Sequence, residues 1–136
     1  MIILENYVDS LINELNNLPC YPGVSKVSYN DIQDYMNVLG KLPVDTVLEL
    51  DIDAGTELYC KLDNNRAWKV IDAPWHNIKD KDVHDIAKWF AGREFIARST
   101  IKSIGKDEFI KYLNKYVNKG SSTTDSYDPY LFVRKR

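Results

Sequence analysis

The stretch Thr46–Ile71, TVLELDIDAGTELYCKLDNNRAWKVI, constrains the fold more than any other part of the chain. Apolar and polar side chains alternate along it, and two groups of turn-forming residues interrupt it. That pattern predicts two consecutive β-hairpins. Thr46, Leu48, Leu50 and Ile52 share one face of the first strand; Val47, Glu49, Asp51 and Asp53 share the other. Ala54-Gly55-Thr56 reads as a three-residue connection with a glycine available for positive φ. In that register Asp51 faces Tyr59, Glu49 faces Lys61, and Leu58, Cys60 and Leu62 join the apolar face. Asp63-Asn64-Asn65 signals the second turn. A three- or five-residue loop there brings Trp68 and Val70 inward. The expected product is a three-stranded meander with one buried face.

Helices flank this meander. Leu4, Val8, Leu11, Ile12, Leu15 and Leu18 recur at helical spacing, with Asn and acidic residues between them, until Pro19. Ser28 followed by Asp31 resembles a capping box, and Ile32, Tyr35, Met36 and Leu39 form the stripe behind it. Gly40 is placed to close that helix in the left-handed conformation. A third helix is expected from Asp80 or Asp82 to Ala91, with Gly92 as its stop. Trp89 lies off its stripe, at the core rim or exposed. A fourth helix is expected from Gly105 to Val117, stapled by Ile104 and Phe109. REFIARST, residues 93–100, fits either a strand or a helix. The fold class is therefore α+β: one domain over residues 1–120, with a mostly antiparallel sheet of three to four strands and about four helices packed on one face. Residues 121–136 have loop composition and a basic end, and read as a flexible tail.

A length of 136 residues suits one domain. Hydrophobic content of 44% with 28% charged residues is that of an ordinary globular protein. No apolar run approaches the roughly 20 residues that span a bilayer. MIILENYVDS has no basic region ahead of its apolar residues, which argues against a secretory signal. A cytoplasmic protein with no membrane partner is the expectation. Cys20 and Cys60 then read as reduced thiols, too far apart and too isolated to bind zinc. No cofactor is implied, and the sequence leaves the oligomeric state open.

The charge is uneven. The first 68 residues hold 4 Lys+Arg against 11 Asp+Glu; the last 68 hold 14 against 9. Such asymmetry bears on partners and says nothing about the fold. Glu49, Asp51 and Asp53 project alternately from one strand, about 6.5–7 Å apart. With Tyr59 they form a candidate surface for a protein partner that carries a basic groove. Size, Asn/Asp/Lys/Ile/Tyr bias and the lack of a catalytic set suit a small non-enzymatic binding protein. A phage or mobile-element inhibitor of a host nuclease is one such protein. Lys111, Lys115 and Lys119 recur every four residues on the fourth helix, and Arg134, Lys135 and Arg136 close the chain. These define the alternative, a nucleic-acid-binding protein that reads phosphates.

The segment LDIDAGT, Leu50 to Thr56, is loosely similar to the first-strand motif of the RuvC/RNase H-like nucleases. That resemblance implies a divalent-metal enzyme with an Asp of this strand as ligand. It covers seven residues, gives no further acidic ligands, and sits behind a helix–helix start that does not match that fold. It ranks third, and no catalytic or metal-binding residue is assigned. His76 and His84 have no neighbouring nucleophile to activate and read as surface residues.

Overall fold

The computed structural model describes residues 4–73 and 77–114. The elements run α1 (Leu4–Asn17), α2 (Tyr29–Lys41), β1 (Val47–Ile52), β2 (Gly55–Lys61), β3 (Ala67–Ala73), β4 (Asn77–Asp82), α3 (Val83–Ala91), β5 (Lys102–Ile104) and α4 (Lys106–Tyr112). A short 3-10 turn, Val24–Lys26, sits between α1 and α2. The five strands form one antiparallel sheet in the order β4-β3-β2-β1-β5. The fold is α+β, with one strand more than the three to four expected.

The extra strands come from segments without period-2 apolar alternation. β4 is NIKDKD, a charged edge strand, and charge on an edge discourages pairing with other chains. β5 is three residues long and pairs Val47 with Ile104 and Glu49 with Lys102. Residues 93–100 are neither strand nor helix. They form a turn held by one bridge, Ala97 to Ile52, and by Arg98 N–H donating to the Asp51 carbonyl at 2.8 Å.

Both faces of the sheet are covered, which corrects the one-face expectation. Leu48, Leu50, Tyr59, Trp68 and Val70 pack under α1, α2 and α3 in the main core. On the other face Val47, Leu58, Cys60 and Ile71 pack with Phe109 and Leu113 from α4 and the residue after it. Phe109 and Leu113 are fully buried. Ile104 packs against this second cluster beside Phe109, as the staple predicts.

The first hairpin is tighter than its sequence suggests. Ile52 pairs with Gly55, so Asp53-Ala54 alone make the turn. Gly55 opens β2 at φ 148, a conformation L side chains rarely adopt. Asp51 therefore faces Thr56, and Leu48 faces Tyr59. The shift from the expected register is odd, so every β2 side chain changes face. Glu57, Tyr59 and Lys61 point toward α2 and α3; Leu58 and Cys60 point toward α4. The second loop, Asp63 to Arg66, is closed by Leu62 N–H donating to the Ala67 carbonyl, and Asp63 Oδ1 accepts from Asn65 N–H at 2.7 Å. Trp68 and Val70 do face the main core, because an even loop and a reversed β2 have compensating effects.

Local signals at the helix ends mostly hold. Ser28 and Asp31 form a reciprocal capping box. Asp82 caps α3 by accepting from Asp85 N–H at 2.9 Å. Gly40 does not end α2; the helix continues to Lys41, and Leu42 caps it in an extended conformation. Gly92 is needed for a different reason. A Cβ there would lie 2.7 Å from the Val24 backbone nitrogen, where the loop after α1 crosses the end of α3. Asn16 turns from the polar side of α1 to hold the chain entering β5: it donates to the Ile101 carbonyl at 2.8 Å and accepts from Ile101 N–H at 2.9 Å.

Candidate functional site

The acidic residues of the first hairpin lie at one end of the α4-covered face. Glu49 faces Leu58 on one side and Lys102 on the other. Its carboxylate accepts a hydrogen bond from the Tyr112 hydroxyl on α4. Asp51 accepts from the Thr56 hydroxyl at 2.9 Å. Asp53 is exposed in the turn. Burial pushes the Tyr112 phenol above its ordinary pKa; the Glu49 hydrogen bond and the charges of Glu49, Asp51 and Glu108 push it further. Glu108 lies one turn before Tyr112 on α4 and adds its charge to the same phenol, which the strand pattern alone does not reveal. Arg98 is exposed at the same tip, with its guanidinium 3.5 Å from the Gly55 carbonyl.

Tyr59 does not belong to this surface. It is 1% exposed and lies on the opposite face, in the main core, edge-on to Phe90 with ring centroids 4.8 Å apart. Lys61, expected opposite Glu49, is also on that face. Its ammonium donates to the carbonyls of Leu39, Gly40 and Leu42, at 3.2, 3.1 and 2.6 Å. Leu39 and Gly40 belong to the last turn of α2 and Leu42 is its cap; the Leu39 carbonyl also accepts from Leu42 N–H, and the ammonium completes this helix end. Burial lowers the Lys61 pKa, and the nearby Asp63 opposes that.

A second polar constellation sits between α3 and strands β2, β3 and β4. Glu57 and Asp72 are directly opposite each other and point toward α3, as do Tyr59, Val70, Lys79 and Lys81 by register. Trp89 on α3 donates its indole N–H to Glu57 Oε1 at 2.8 Å and lies 3.0 Å from the Tyr59 hydroxyl. The Tyr59 hydroxyl donates to the same Glu57 oxygen. Burial raises the Glu57 pKa; Tyr59 and Trp89 oppose the rise by bonding the ionised form, and Asp72 adds to it. Burial also lifts Tyr59 well above the usual phenol range, and the neighbouring Glu57 adds to that. These groups line a cleft of about 250 Å³ with Asp85 and Ile86 of α3. Trp89, expected at the rim or exposed, is half-buried here with its N–H engaged. The site was hidden because Glu57, Tyr59 and Lys61 alternate with Leu58, Cys60 and Leu62, and the apolar set looks like the inner one.

The other candidates separate. Of the basic run, Lys111 is exposed on α4; Lys115, Lys119, Arg134, Lys135 and Arg136 lie outside the described residues, as do Trp75 and His76. Arg93 is buried, donating to the Tyr35 hydroxyl and the Phe90 carbonyl, each at 2.7 Å, so it adds nothing to a basic surface. Asp82, His84 and Asp85 bring ligand atoms within 4.8 Å of one another. Asp82 is already the N-cap of α3, and a cation there would face the positive end of the helix dipole. Cys60 is buried, and Cys20 is half-buried. Among the described residues no helix is long and apolar enough to cross a membrane. No protein-family model, curated protein or solved structure matches the chain.

Proposed function

We propose that this protein is a binding module that acts on a macromolecular partner through the acidic end of its sheet. One observation carries the reading. Glu49 accepts from the Tyr112 hydroxyl of α4, and Asp51 and the exposed Asp53 follow it at alternate positions along the same hairpin. Carboxylates at alternate strand positions repeat at about 6.5–7 Å, close to the spacing of phosphates along a nucleic-acid strand. A partner with a basic, phosphate-binding groove, a nuclease among them, would meet matching charge. Such complementarity mainly steers encounter and selects the partner.

The test is capture from lysate with wild type and with an Asp51→Lys/Asp53→Lys variant, read by mass spectrometry. A protein retained by wild type and lost with the charge-reversed surface supports the reading. Identical sets on both baits remove it. The rival, phosphate contact through Lys111 and the basic residues after it, predicts instead a salt-sensitive gel shift of duplex or single-stranded DNA that Lys111→Glu weakens.

A further inference from the structure

We propose that the cleft between α3 and strands β2–β4 binds a small zwitterion, a molecule with a guanidinium or ammonium group at one end and a carboxylate at the other. The cleft lies on the sheet face opposite the acidic hairpin end and stands independently of it. Its inner end is a carboxyl pair, Glu57 and Asp72, set opposite each other on neighbouring strands. Tyr59 and Trp89 both donate to Glu57 Oε1, which fixes the side chain and its orientation. The Asp72 carboxyl is within hydrogen-bond reach of Glu57, so the two carboxyls form one paired group. Two carboxyls this close cannot both be ionised cheaply without a positive charge between them. A planar guanidinium offers paired donors to carboxylates, and the Trp89 indole lines the same space.

The outer end carries two lysines against one carboxylate, Asp85 of α3, and so is net positive. Lys79 and Lys81 stand two residues apart on β4, both exposed and both on the α3 side. They repel a bare cation and suit a carboxylate. Val70 and Ile86 line the cleft with them, apolar surface suited to a short methylene chain. A volume of about 250 Å³ suits a molecule the size of one amino acid. A simple anion would meet Glu57 and Asp72, and a divalent metal would meet two lysines. Only a ligand with both charges satisfies both ends.

The test uses the full chain, with L-arginine as probe and agmatine, which lacks the carboxylate, as its comparison. Binding is read by calorimetry and by amide shifts in heteronuclear NMR spectra. The expected result is saturable L-arginine binding, millimolar or tighter, with agmatine weaker by about tenfold. Glu57→Gln should weaken L-arginine by about tenfold or more. Lys79→Ala/Lys81→Ala, on an exposed edge that does not carry the core, should bring L-arginine down to the agmatine level. Absence of saturable binding by both probes overturns the proposal, as does an L-arginine affinity unchanged in the lysine variant.

Discussion

The Lys61 ammonium lies 2.6 Å from the Leu42 carbonyl, at the end of α2 and on the opposite side of the sheet from Glu49. A lysine that alternation places in a surface ion pair is instead 3% exposed and closes a helix. Lys61→Ala removes three charged hydrogen bonds at a buried helix end, where the Leu39 carbonyl still keeps its bond from Leu42 N–H, so it should cost about 2–3 kcal/mol. A double-mutant cycle with Glu49→Gln should give coupling near zero, because the two side chains share no partner. Urea denaturation of the four proteins measures both. Coupling of an ordinary cross-strand ion pair would restore the register with Lys61 opposite Glu49.

The second core makes a prediction of its own. Phe109 is fully buried between α4 and the strands. Phe109→Ala should cost about 3–5 kcal/mol, as in any closed core. A helix resting loosely on a solvated sheet face would lose far less. Chemical denaturation, with the m-value checked for constancy, reads the difference.

Glu57 sets an unusual pH dependence. Burial raises its folded pKa, and Asp72 adds to that against the hydrogen bonds from Tyr59 and Trp89. Its contribution is then fully present below the unfolded pKa, about 4.3, and is lost as pH rises through the folded value. Asp72, Tyr59, Asp85, Lys79 and Lys81 face the same cleft. The urea midpoint should carry a downward term above about pH 4 that Glu57→Gln removes. An identical pH profile for the variant would contradict this. Tyr59 and Tyr112 are raised as well, so their stabilising contribution should fade only above about pH 10, as unfolded tyrosines begin to ionise. Tyrosinate absorbance followed against unfolding checks that window.

Much of the architecture was legible residue by residue. Ser28 with Asp31 and the Ile104–Phe109 staple each announce a helix start through local hydrogen bonding or packing, and both form; of the two starts open for α3, Asp82 is the cap and Asp80 belongs to β4. The sheet was legible as hairpins but not in register. Alternation identifies an inner face only when the other face is solvated. Here Leu58, Tyr59, Cys60 and Lys61 are all buried, so the strand carries two inner faces and its period cannot choose between them. A two-residue turn at Asp53-Ala54 then decided the matter. β4 was illegible because an edge strand whose exposed residues are charged has no apolar pattern to show. The acidic end was visible in Glu49, Asp51 and Asp53; Tyr112 joined it only through tertiary packing, with the charge of Glu108 one turn before it. The α3 cleft depended on the β2 register and so could not be seen before it.

The central claim is that the acidic end of the sheet is the surface a partner binds. Its most direct test is the affinity of the captured partner for wild type, Asp53→Lys and Asp51→Lys/Asp53→Lys, by calorimetry at low and high salt. The account predicts losses of about tenfold for the single and more for the double variant, shrinking as salt screens the field, with unfolding midpoints close to wild type. Equal affinity across the three proteins at low salt would contradict it.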